Sequence, residues 1–106
     1  MLIPDDFGCM GLGFLDAAIV YEMFGRHVAP LPFLGTAVMA PLALMLAGSE
    51  AQQEKWLPKI AAGEIVAGVA VTERIGIREG AGVKARKGTL TGKSLFVIDW
   101  AEADLY

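Results

Sequence analysis

No formally charged residue occurs from position 27 to position 49, and this silence constrains the fold of the chain more than any other feature. The run is long enough to raise a membrane span. Pro30, Pro32, Gly35 and Pro41 interrupt it, and no Lys/Arg cluster or Trp/Tyr pair flanks it as an interfacial anchor. A shorter apolar run of this kind is more often a buried helix. The sequence therefore predicts a buried helix from Thr36 to Ala47, kinked or restarted at Pro41 and closed by Gly48 at C′. Pro30 and Pro32 keep the preceding stretch extended. A membrane-associated hairpin on residues 27–49 is the competing reading.

Helical signals dominate on both sides of this run. Residues 2–13 read as loop, with Pro4, Asp5 and Asp6 followed by Gly8, Gly11 and Gly13. Phe14 to Phe24 reads as a helix, with Leu15, Ala18, Ile19 and Met23 at three- and four-residue spacing. Asp16 suits its first turn, and Gly25, Arg26 and His27 form its stop. Ser49-Glu50-Ala51-Gln52 is a capping box that opens a further helix. Pro58 is expected to end that helix near Trp56, leaving a short turn to Ala62 before Gly63.

The period then changes. Ile65 to Thr72 is β-branched and nearly uncharged, the pattern of a strand buried on both faces. Glu73 to Gly82 is loop. Val83–Lys87 and Thr89–Ile98 read as a hairpin around Gly88, Asp99–Asp104 as a turn, and Leu105-Tyr106 as the opening of another strand. A sheet that stops there leaves unpaired edges, so the chain reads as part of a larger domain.

A chain of 106 residues fits one small domain or a piece of a larger one. With 55% hydrophobic residues and only 20% charged, it is not disordered, and some apolar surface is expected to stay exposed. The formal charge of −3 gives no overall nucleic-acid signature. A single cysteine, Cys9, forms no internal disulfide, and Met1 to Asp6 has no basic leader region; a reducing, cytoplasmic setting is expected. Charge is unevenly placed. Residues 1–48 hold four acids against Arg26, whereas Arg74, Arg78, Lys84, Arg86, Lys87 and Lys93 face only Glu73 and Glu79. The ordinary reading is a solvated loop and hairpin; the functional one is a positive field for a phosphate-bearing ligand.

Two glycine patterns carry no site. Gly8, Gly11 and Gly13 follow no strand and lack the spacing of a dinucleotide turn. Gly88 to Ser94 is one residue short of a P-loop, and Leu95 to Ile98 favours strand where a P-loop needs a helix. His27 is the only histidine, so no His-based metal cluster forms within the chain; it is expected to serve a helix C-terminus. Cys9 has no adjacent Lys, Arg or His to lower its pKa. No nucleophile elbow is present. Trp56 is expected to pack with its indole partly exposed.

An ordered set of motifs resembles the acyl-CoA dehydrogenase family over nearly the whole chain. Asp6-Phe7-Gly8 through Gly13, Glu22-Met23-Phe24-Gly25-Arg26 and Ala29-Pro30-Leu31-Pro32 look like its helical N-terminal region. Trp56 to Glu64 is similar to the family's LP-x-(I/L)-A-x-G-E stretch, and Val69-Ala70-Val71-Thr72-Glu73 to its flavin-contacting strand end. Gly82-Val83 and Gly92-Lys93, with an aromatic at Phe96, fit the next strands. The resemblance implies an α+β fold: N-terminal helices over residues 1–63, then the first strands of an antiparallel β-barrel domain over 64–106, incomplete. It also implies FAD and α,β-desaturation of an acyl-CoA thioester, with hydride passing to the flavin and a glutamate as base.

Carried over by position, Val71, Thr72, Phe96 and Ile98 are expected beside the cofactor, and Arg78 at the substrate. Thr72 offers polar groups to the ring's pyrimidine edge. Arg74 and Arg78 replace a proline and the serine that touches the thioester ligand. Ile98 stands where many members have a threonine, so it lacks the hydroxyl given near N5. No residue matches the catalytic glutamate; Glu64 and Glu73 do not align with it, so the chain alone is expected to be inactive. Acyl-CoA and a homo- or hetero-oligomeric partner are the implied partners, without nucleic acid, a metal or a membrane span. A non-catalytic interaction subunit that pairs with a complete partner is the alternative.

Overall fold

The computed structural model describes residues 2–71, 82–95 and 97–106. Three α-helices and one two-stranded antiparallel sheet are found among them: α1 (Phe14–Arg26), α2 (Ala40–Ala47), α3 (Glu50–Ala61), β1 (Gly82–Arg86) and β2 (Thr89–Lys93). The architecture is α+β, helices first, with an open sheet, as the sequence predicts. No helix among the described residues is long and apolar enough to cross a membrane.

Each helix end has a local cause. The Asp16 carboxylate accepts the Gly13 N–H at 2.9 Å, which satisfies a free donor at the start of α1. At the other end, His27 donates from Nδ1 to the Met23 carbonyl at 2.8 Å, the role expected of it. The helix runs through Gly25 to Arg26, two residues past its expected end. The stripe of Leu15, Ile19 and Met23, expected to face the core, points outward; only Ala17 is buried on α1. The helix is held instead by Tyr21 stacked on Phe33 (5.8 Å) and Phe24 edge-on to the same ring (5.1 Å).

The uncharged run forms a π-helix, Leu34–Met39, that tightens into α2 at Ala40, one residue before Pro41. A proline without an N–H drops a rung of the ladder, so the change of pitch belongs there. Gly35, Ala40 and Pro41 are buried, but Leu46 is almost fully exposed, so only one side of this segment meets the core. Gly48 closes α2 in an extended conformation (φ −76°), not the left-handed one expected at C′. Its glycine is required by close approach: a Cβ would lie 2.6 Å from the Leu44 carbonyl oxygen.

The capping box opens α3 as read, with the Ser49 N–H donating to Gln52 Oε1 at 2.9 Å and the Gln52 N–H to Ser49 Oγ at 3.4 Å. Contrary to expectation, the helix continues through Pro58 to Ala61. Leu57 and Ile60, either side of the proline, are both buried, and their packing outweighs the missing rung. Gly63 then takes φ +71°, with Glu64 N–H to the Lys59 carbonyl and Gly63 N–H to that of Ile60, a Schellman ending.

The core consists of Ile3, Ala40, Leu57, Ile60 and Ala67. Ile65 to Val71 crosses it extended, but not as the continuous, doubly buried strand expected. Ala67 bridges Leu105 in parallel and Val69 bridges Ile98 antiparallel, while Ala70 is exposed. The hairpin forms with Val83 opposite Gly92 and Arg86 opposite Thr89. Lys87 (φ 49°) and Gly88 (φ 79°) make its two-residue turn, and β2 ends at Lys93, short of the predicted Ile98.

Candidate functional site

The run from Ala67 to Val71 is fixed to the helices through its main chain. Thr36, in the π-helix, donates from its hydroxyl to the Ala67 carbonyl (3.3 Å) and accepts the Ala67 N–H (3.0 Å). One residue earlier, the Gly35 N–H donates to Asp99 Oδ2 at 3.2 Å. A Cβ at Gly35 would lie 2.6 Å from that oxygen and 2.7 Å from the Ala67 carbonyl, so glycine is what lets the three segments meet. On the far side, the Val66 N–H donates to Asp104 Oδ2 at 2.9 Å. The sequence reading took Gly35 as a break in the uncharged run, Thr36 as a helix start and Asp104 as the end of a turn, and gave none of them a contact with residues 66–67; only the π-turn's pitch brings the first two to residue 67.

A groove of about 500 Å³ opens beside this run. Ala40, Ala43 and Ala47 of α2 form one side, Gln52 and Trp56 of α3 the floor, and Ala67 to Val71 the other side, with Leu105 and Tyr106 at the end. Small side chains leave the space. Close packing at its rim needs Gly68, where a Cβ would meet the Tyr106 ring at 2.9 Å, and the Tyr106 hydroxyl is tied to the Trp100 carbonyl. Trp56 is half-buried, with Lys55 Nζ 4.4 Å and Lys59 Nζ 5.8 Å from its ring, a cation–π arrangement.

Of the residues expected at a cofactor, Val71 lines this groove. Ile98 is half-buried and pairs with Val69 through both its N–H and its carbonyl (3.2 Å each), so its main chain is occupied and its side chain has no donor. It does not appear in the groove wall. Thr72, Phe96 and Arg78 lie outside the described residues. Next to the bridge, Ala70 and Val71 make no hydrogen bond with any other described residue. An apolar wall ending in peptide groups that no other described residue satisfies fits a flat heteroaromatic ring with a polar edge.

A second groove, about 730 Å³, lies between Tyr21, Phe24, Pro30 and Leu31 on one side and Trp100 and Glu102 on the other. Of the residues expected at a cofactor, neither Val71 nor Ile98, the two that are described, lines it. No group of acidic, Cys or His side chains suited to a metal ion occurs among the described residues.

The chain is an α+β protein whose helices precede an open two-stranded sheet, with an apolar groove between the helices and the 67–71 run. Comparison with known proteins narrows this class. Residues 1–64 match the family model for the acyl-CoA dehydrogenase N-terminal domain. The chain is 31% identical over 98% of its length to a probable acyl-CoA dehydrogenase of Bacillus subtilis, covering 19% of that protein. It is 35% identical over 69% of its length to (2S)-methylsuccinyl-CoA dehydrogenase of Cereibacter sphaeroides (14% of that protein). With human very long-chain specific acyl-CoA dehydrogenase the identity is 29% over 98% of the chain (17% of that protein). No solved structure matches. The chain belongs to the acyl-CoA dehydrogenase family and spans less than a fifth of the length of these relatives.

Proposed function

We propose that this chain supplies the helical segment and the first flavin-facing strand of an FAD-dependent enzyme that desaturates acyl-CoA thioesters at the α,β position. The observation that carries the reading is the run Val69–Val71, which borders an apolar groove and ends in peptide groups that no described residue satisfies. Residues 1–63 form the helical part and 64–106 the start of the β-domain; the family-model match over residues 1–64 supports that division. The cytoplasm is the proposed location, supported by a lone cysteine without a disulfide partner in the chain. A homo- or hetero-oligomer is the proposed assembly.

When bound, FAD supplies the hydride acceptor. Val71 would present an apolar wall to its ring, and the Ala70 and Val71 peptide groups, which no other described residue satisfies, would meet its polar edge. Thr72 follows at the pyrimidine edge, Phe96 shields a ring face, and Ile98 contributes apolar contact without a hydroxyl. Arg78 takes the substrate side, where its cation favours an anionic part of the ligand. A base must lie within hydrogen-bond reach of the α-proton, and none of the residues assigned here does that work. The 106-residue chain alone should therefore purify colourless and turn over no acyl-CoA. Joined to a sequence of its relatives' length, it should purify yellow, and Val71→Lys should lower flavin retention at least tenfold with the helical circular dichroism unchanged. A full-length protein that takes up no FAD would overturn the proposal.

A further inference from the structure

Two neighbouring residues of the π-helix each hold one extended segment, and those segments hold each other. The Thr36 hydroxyl takes Ala67, the Gly35 N–H takes the Asp99 carboxylate, and Val69 pairs with Ile98 through two main-chain bonds of 3.2 Å. The links at Gly35 and Thr36 are part-buried and every station is a described residue, so the circuit stands whatever covers the outer surface. Asp99 is brought from farthest away, 64 residues along the chain from Gly35. Its backbone is left-handed (φ 58°), a conformation that Asp tolerates better than most residues, and the Glu102 N–H closes the following turn on its carbonyl at 3.4 Å. Gly35 lies in the first turn of its helix, where the helix has no carbonyl to offer its N–H, and Phe33 at the N-cap has no side-chain acceptor.

We infer that Asp99 is a positioning residue of the flavin site: by taking the Gly35 amide, its carboxylate sets how far Ile98 and the paired Val69–Val71 run stand from the helices. This rests on the flavin reading above, which puts Ile98 and Val71 beside the cofactor. A cap that served only the helix would be supplied locally, as Ser49 supplies α3. This one comes from the residue that follows Ile98, whose main chain is committed to Val69, so a shift of the carboxylate carries both segments with it. A Cβ at Gly35 would lie 2.6 Å from the same oxygen, so helix and turn meet without slack. Hydrogen bonds to a carboxylate are among the stronger ones, which suits a single contact that fixes a distance.

The test uses the yellow protein expected when the chain is joined to a sequence of its relatives' length. Asp99→Gly permits the same backbone conformation and removes the acceptor; it should raise the FAD dissociation constant about tenfold and shift the long-wavelength flavin absorption band. Asp99→Asn returns an acceptor oxygen to the same place and should restore the band and bring the constant to within about threefold of wild type. Gly63→Ala, strained at φ +71° in a helix ending that lines neither groove, should lower the urea midpoint and leave both flavin readouts unchanged. With the flavin reading intact, the inference is overturned by unchanged readouts in Asp99→Gly, by an equal change in Gly63→Ala, or by failure of Asp99→Asn to restore them. A wild-type protein that takes up no FAD overturns the flavin reading, and this inference with it.

Discussion

Thr36 satisfies both hydrogen-bonding groups of Ala67 with one hydroxyl. Replacing it by valine keeps the shape and strands a part-buried N–H and carbonyl together, which should cost about 1–3 kcal/mol. Thr36→Ser retains the oxygen and should recover most of the loss. Urea midpoints on the two variants separate these outcomes, and faster exchange of the Ala67 amide in the valine variant alone would localise the effect. Gly35→Ala should also destabilise by about 1–3 kcal/mol, because one of the two atoms its methyl would meet is a backbone carbonyl that cannot swing aside. Loss of stability in Gly35→Ala with no change in Thr36→Val would contradict the arrangement described. None of this was legible in the sequence, because a threonine in an uncharged run looks like helix filling until the π-turn's pitch is known.

Among the elements, α3 was legible at both ends and misread in the middle. Its capping box and its Gly63 ending are local chemistry, written within a few residues, and they stand as expected. Pro58 was weighed by its local penalty alone, whereas Leu57 and Ile60 are anchored in a core assembled from Ile3, Ala40 and Ala67, far away in the chain. Two variants measure the balance. Ser49→Ala should lower stability by about 1 kcal/mol through loss of the cap. Pro58→Ala should raise it by on the order of 1 kcal/mol: restoring the rung outweighs the added freedom of the unfolded chain. A lower melting temperature for Pro58→Ala would show that the proline shapes the helix's packing. The hairpin was legible through its Lys87-Gly88 turn. The strand expected over 65–72 was overread across its described part, 65–71, since β-branched residues announce an extended backbone but not the number of partners it finds.

For the molecule as a whole, the feature that composition anticipated is apolar surface left outside. Leu15, Ile19 and Met23 form an outward stripe on α1, spaced one turn apart, and Phe14 and Trp100 are exposed as well. The chain should bind a hydrophobic dye and self-associate at high concentration. Leu15→Ser with Ile19→Ser should reduce both while changing unfolding free energy by less than about 0.5 kcal/mol per site, since neither side chain is buried. Sedimentation velocity and chemical denaturation check the two halves of that statement; a large stability loss would mean the stripe packs after all. The candidate groove belongs to the same scale, because its walls come from α2, α3, the 67–71 run and the chain's last two described residues. Only Val71 could be placed there from sequence, by resemblance, since the alanines opposite it carry no chemical signature. The clasp at Ala67 reaches past side chains to grip the polypeptide itself. Substitutions along residues 69–71 can therefore reshape the groove while the scaffold stays where it is, which makes that short stretch a place where the chain can vary without refolding.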